Sequence, residues 1–156
     1  MHARRVSRHV PEMVWYSDSH LIHMLHKWGL VYVKPDTGSG GTGIIRIARR
    51  KKFKHVVSWG RRKVVCETRR LPAVVKTAML RGKSYVIQRG IHMAKVNGKP
   101  FDLRIVWQRP GKSWQLTWMS AKIATRRGAT VTNVAKGGVD ARIRPTLKRM
   151  TPPVQV

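Results

Sequence analysis

The chain has 156 residues, one domain or part of a larger one, and enough to bury a real core. Thirty-three Lys and Arg face six carboxylates (Glu12, Asp18, Asp36, Glu67, Asp102 and Asp140), a formal charge of +27. Such a surface attracts polyanions, and it leaves few candidates for paired-acid or all-protein two-metal chemistry. One cysteine, Cys66, excludes an intramolecular disulfide and reads as a small strand residue. The N-terminus is basic without an apolar h-region, and no apolar run approaches the roughly 20 residues of a membrane span. A cytoplasmic protein is expected.

Residues 1–8 are basic and without pattern. Ser17 or Asp18 can cap a helix running to Trp28, with Gly29 as its stop and Leu21, Met24, Leu25 and Trp28 as its apolar stripe. His20, His23 and His26 recur every third residue, but steps of three drift around a helix. With no cysteine or carboxylate to complete a metal set, they read as ordinary imidazoles.

The next segment, LVYVKPDTGSGGTGIIRIAR from Leu30 to Arg49, is a strand ending near Lys34, a glycine-rich loop and a second strand. Gly38, Gly40 and Gly43 satisfy a dinucleotide fingerprint, yet that motif must open a helix, and GIIRIAR is β-branched. A phosphate-binding P-loop puts its lysine after the last glycine, whereas Lys34 precedes the first. A glycine hairpin folded over phosphates between antiparallel strands fits both flanks, and so does a plain surface hairpin.

FKHVVSW and RKVVCET flank Gly60 as another hairpin, and Pro72 opens a helix from about Leu71 to Leu80, closed by Gly82. SYVIQRGI is the next strand. FDLRIVWQR and SWQLTWMSAKIAT flank the turn Pro110-Gly111-Lys112, and VTNV is a last short strand before Gly137-Gly138. Phe101, Leu103, Ile105 and Trp107 share one face of their strand, Asp102 and Arg104 the other. Trp28, Trp107, Trp114 and Trp118 are expected in the core. The pattern is α+β, with mostly antiparallel strands and one helix on a face.

In this order the pieces HVPEMVWYSDSHLIHMLHKWGLVYVKP, GSGGTGIIRI, YVIQRGI, GKPFDLRIVWQ and VTNVAKGG resemble the ATP-grasp superfamily, most closely its endospore-coat-associated YheC/YheD branch. The resemblance spans residues 9–138. It implies a partial ATP-grasp fold, with antiparallel sheets, packed helices and a glycine-rich phosphate hairpin, and ATP between two sheets. Lys34 matches the phosphate-contacting lysine, and Gly38, Ser39, Gly40, Gly41, Thr42 and Gly43 match the loop over the phosphates. Gln88, Arg89, Gly90 and Ile91 match the hinge whose backbone meets adenine, with Arg89 and Gly90 the expected contacts. Asp102 and Arg104 match a D-[IL]-R motif, Asp102 for the nucleotide and Arg104 for catalysis. Lys122 stands where the family carries a basic residue near the transferred phosphate, and Val131, Thr132 and Asn133 match a segment that approaches the nucleotide.

Family members precede the matched region with a further domain and follow the Gly-Gly pair with a Glu-x-Asn segment that holds magnesium. Here no Glu-x-Asn follows, and no carboxylate follows Asp140. The expected organisation is a basic segment at 1–8, an incomplete ATP-grasp-like domain at 9–138 and a basic tail at 139–156. The expected function is ATP binding on a scaffold related to carboxylate–amine or –thiol ligases, weakly active or inactive, with Mg2+ expected from the family but no metal ligands identified. The alternative is a nucleic-acid or polyanion binder on the same scaffold. Self-association through uncovered apolar sheet and an association with spores complete the expectations.

Overall fold

The computed structural model describes residues 7, 9–125, 127, 132 and 138–151. The chain divides into two compact units, Met1–Ile91 and His92–Val156.

The first unit is a six-stranded antiparallel sheet. Its strands are β1 (Met13–Trp15), β2 (Leu30–Pro35), β3 (Ile45–Lys51), β4 (Lys54–Trp59), β5 (Arg62–Glu67) and β6 (Tyr85–Arg89). Their spatial order is β1-β6-β2-β3-β4-β5, so β6 is inserted between β1 and β2. Helix α1 (Asp18–Trp28) begins where Ser17 Oγ accepts the His20 N–H at 3.0 Å, and it ends at Gly29, whose φ of 68° is left-handed. Helix α2 (Leu71–Ala78), led by a 3-10 turn at Thr68–Arg70, has Pro72 in its first turn. It stops two residues before the expected Leu80, where Met79 turns extended.

Both helices lie on one face. Leu21, Met24 and Leu25 of α1 and Leu71, Val75 and Ala78 of α2 pack on Val31, Val33, Ile45, Ile47, Val57 and Ile87. Two helices therefore cover this sheet where the sequence pattern suggested one. Cys66 is buried in the same core, and burial pushes its thiol pKa up. The period-2 alternation leaves the opposite face to Tyr32, Lys34, Arg46 and Gln88.

The second unit is a five-stranded antiparallel sheet in the order β10-β9-β8-β7-β11. Its strands are β7 (Lys95–Val96), β8 (Lys99–Gln108), β9 (Gln115–Ile123), β10 (Val139–Ala141) and β11 (Met150–Thr151), with helix α3 at Ile143–Lys148. An Asn97-Gly98 turn, φ 51° and 74°, joins β7 to β8. The core is small: Val96, Phe101 and Ala121, with Ala94, Ile123, Ala141 and Ile143 against them.

The β8–β9 hairpin is wider than its Pro-Gly turn suggested, with residues 109–114 outside the strands. Three of the four tryptophans expected in the core are not there: Trp107, Trp114 and Trp118 are 56%, 65% and 45% exposed. Trp107 keeps the face of Leu103 and Ile105, whereas Trp114 lies outside the strands and Trp118 stands beside Val106, so these two do not share a strand face. Trp28 is part-buried against the first core, as expected. The VTNV strand lies outside the described residues except for Thr132. No helix among the described residues is long and apolar enough to cross a membrane.

Candidate nucleotide site

In the first unit, register brings four polar side chains to one sheet face. Tyr32 of β2 pairs with Gln88 of β6 on one side and Arg46 of β3 on the other, and Lys34 follows two residues along β2. Lys34 Nζ donates to Gln88 Oε1, and the ammonium stands 5.9 Å from the Tyr32 ring centroid. Half-burial holds the Lys34 pKa below its ordinary value. Among the described residues Lys34 has no carboxylate within ion-pair distance. A cation that has lost water and gained only a neutral amide gains strongly from an incoming anion.

The glycine hairpin leaves β2 beside this lysine. Its roots are fixed: the Asp36 N–H bonds Ser84 O at 3.0 Å, Lys83 Nζ bonds Thr37 Oγ1 at 2.9 Å, and the Thr42 N–H bonds Ser39 O at 3.2 Å. Gly40 and Gly41 have φ of 63° and 73°, the left-handed region where side chains are strained. A Cβ on Gly43 would meet Leu80 Cδ1 at 3.0 Å and the Tyr85 hydroxyl at 3.2 Å, so this glycine lets the second limb pass close to the body. Among the described residues the N–H groups of Gly38, Ser39, Gly40 and Gly41 have no protein acceptor. Four free donors on an exposed loop beside a lysine suit an oxyanion-rich ligand.

In the hinge after β6 two backbone donors are engaged within the sheet. The Arg89 N–H bonds Glu12 O and the Gly90 N–H bonds Leu30 O, both at 2.8 Å. The backbone donors of the two positions expected to meet adenine are thus already used in holding β6 between its neighbours. The Ile91 N–H has no protein acceptor among the described residues. The Arg89 side chain turns to the helix side, where its guanidinium lies 3.8 Å from the Trp28 ring centroid. Trp28 Nε1 and Lys27 Nζ both donate to Glu12 Oε2, at 2.9 and 2.8 Å, and these donors hold the Glu12 pKa down.

In the second unit, Asp102 of β8, Lys122 of β9 and Asp140 of β10 stand in one cross-strand row. Arg104 pairs with Ser120 in the next row of the same face. Asp102 Oδ2 accepts from the buried Thr132 hydroxyl, and Asp140 Oδ1 accepts from Ser120 Oγ at 2.9 Å. Val131 and Asn133 lie outside the described residues. The expected sites thus fall into two sets: Lys34, the glycine hairpin and Gln88 to Ile91 in one unit, and Asp102, Arg104, Lys122 and Thr132 in the other.

Sequence reasoning passed over Arg46. The signal was present, since alternation in IRIAR sends Arg46 to the face opposite Ile45 and Ile47. Elsewhere the carboxylates are committed to ion pairs: Glu12 to Lys27 at 2.8 Å, Asp18 to Lys76 at 2.7 Å and Glu67 to Arg69 at 3.1 Å. Among the described residues no three His, Cys, Asp or Glu side chains gather as a metal set.

Antiparallel sheets with packed helices, and a glycine hairpin beside a strand lysine, define a scaffold of the ATP-grasp class. A family model described as YheC/D-like ATP-grasp matches residues 1–155, and the chain belongs to that family. Comparison with curated proteins and with solved structures finds no significant match.

Proposed function

We propose that the chain binds ATP, with the phosphates against Lys34 and the free N–H groups from Gly38 to Gly41, and with adenine against the Ile91 N–H. The observation that carries this reading is Lys34: half-buried, without a carboxylate partner, at the root of a loop with four unpaired donors. Arg46, two strands from Gln88 on the same face, is a second cation for the triphosphate. Arg104 and Lys122 are proposed as the phosphate-facing cations of their unit, with Asp102 and Thr132 as a preformed polar pair.

These residues fit ATP. They do not supply a three-ligand set for Mg2+, which the family uses with ATP, so no step is derived through the metal. Members of this class make an acyl phosphate from a carboxylate and ATP, then pass the acyl group to an amine or thiol. In this chain Glu12, Asp18 and Glu67 are tied to cations and Asp102 and Asp140 to hydroxyls, which leaves Asp36, reached by Thr37 Oγ1 at 3.4 Å, as the one carboxylate beside the glycine loop. We therefore propose binding with slow turnover for the 156-residue chain alone.

The test is a melting experiment with ATP, tripolyphosphate and Lys34→Ala. A ligand at 100 times its Kd stabilises the native state by about 2.7 kcal/mol, so ATP raises the melting temperature and the variant loses the rise. An equal rise in Lys34→Ala places the nucleotide elsewhere. An equal rise with tripolyphosphate means that charge alone, the polyanion reading supported by +27, accounts for the effect.

A further inference from the structure

Beyond Leu103 the β8–β9 hairpin is, among the described residues, a two-stranded ribbon. β7 pairs with β8 only at Lys99 and Pro100, and β10 pairs with β9 only from Ala121 to Ile123. Isolated two-stranded ribbons are marginal in water. One face of this ribbon is made by Leu103, Ile105 and Trp107 of β8 and by Leu116 and Met119 of β9, each 43–56% exposed. An extra residue, Thr117, bulges between Trp118 and Leu116, and the pairing of Trp107 with Leu116 keeps the strip continuous across the bulge. From Leu103 outward no charged residue of the two strands stands on this face, Lys99 sharing it only at the far end of β8. Arg104 and Lys122 project from the opposite face, and Arg109 and Lys112 lie in the connection.

We propose that this strip is a homotypic interface, by which a second copy of the chain packs face to face through a two-fold axis. The charge distribution selects that partner. On a chain of +27, an uncharged strip is where two copies can meet without bringing cations together, whereas a phosphate backbone or anionic headgroup requires cations at the point of contact. The exposed area of the five side chains is on the order of 500 Å2, so two copies bury about 1,000 Å2, the lower edge of specific interfaces. The dimer is therefore weak and concentration-dependent, and isologous, since the same strip serves both copies. The inference rests on the strip alone and is independent of nucleotide binding.

Light scattering on nuclease-treated protein from about 1 to about 200 µM brackets a micromolar Kd. The expected result is an apparent mass rising from 17.9 kDa toward twice that value. The double variant Ile105→Lys/Met119→Lys stays monomeric throughout, while Val106→Lys, on the other face, still dimerises. If the double variant fails to fold by circular dichroism, single Met119→Cys and Val106→Cys variants decide, oxidation linking only the former into dimers. A wild-type chain monomeric at the highest concentration overturns the proposal, as does association lost through Val106→Lys but not the double variant. Association abolished by nuclease overturns it in favour of a nucleic-acid bridge.

Discussion

Replacing Gly90 by alanine tests how the hinge is built. A Cβ there would lie 2.3 Å from Leu30 Cγ, 2.8 Å from Leu30 Cδ2 and 2.9 Å from the Leu30 carbonyl oxygen. Cγ is the branch point of a side chain only 6% exposed, so it cannot swing clear as a chain end would. The carbonyl is the acceptor of the Gly90 N–H, so backing away stretches the bond that seats the hinge on β2. Overpacking of this kind costs about 1–3 kcal/mol, offset by the roughly 0.4–1 kcal/mol that alanine gains through a less flexible unfolded chain. The expected net loss is about 1–2 kcal/mol, a fall in melting temperature of roughly 2–8 °C for a protein of this size. ATP affinity falls as well, because Ile91 follows immediately. Urea melts of Gly90→Ala, Leu30→Ala and the double variant check the origin of the loss. Leu30→Ala removes the clashing carbon, so the double variant should be more stable than additivity allows by at least about 1 kcal/mol. Strict additivity, or a Gly90→Ala chain as stable as the parent, would refute the close-approach argument.

Arg46→Ala should weaken ATP binding about tenfold by titration calorimetry while leaving the melting temperature of the free protein within about 1 °C, since a charge-assisted phosphate contact is worth roughly 1.5 kcal/mol. Arg89→Ala should cost about 0.5–1 kcal/mol in urea melts by removing the cation from the Trp28 ring, and should change Trp28 fluorescence. Burial and the neighbouring Arg49 hold the His55 pKa below its ordinary value, and its Nε2 meets Thr68 Oγ1 at 2.8 Å. In acid the unfolded chain therefore binds a proton that the folded chain resists. The stabilisation from neutral His55 is complete above pH of about 6.5 and is lost as pH falls toward the lowered value. His55→Gln should flatten that part of the stability profile.

Local chemistry made much of the first unit readable. Ser17 and Gly29 bound α1 because capping and left-handed φ are properties of single residues. Alternation in LVYVK and IIRIA carries the signal that puts Val31, Val33, Ile45 and Ile47 in the core and Lys34 on the opposite face. The Lys34–Gln88 bond was not readable, since it joins residues 54 apart and depends on β6 entering between β1 and β2. The same insertion uses the Arg89 and Gly90 donors, which shifts the free donor of the hinge to Ile91. In the second unit, period 2 named the faces of β8 correctly but could not say whether anything lies on them, and so the tryptophans were misplaced. The Asn97-Gly98 hairpin was legible from its dipeptide and went unread.

The placement of β6 also sets an order on folding. Strands β2 to β5 pair with sequence neighbours, so their hairpins can form as soon as each pair of strands exists. Met13 to Trp15 finds its one strand partner among the described residues in Trp15↔Val86 and the pairs beside it, about seventy residues later. During synthesis the earliest strand is therefore the last of its sheet to be paired, and until then β2 also presents a free edge. Loop closure over that span comes after the local hairpins, and substitutions in β1 or β6 should change the folding rate less than the unfolding rate if those hairpins form the nucleus.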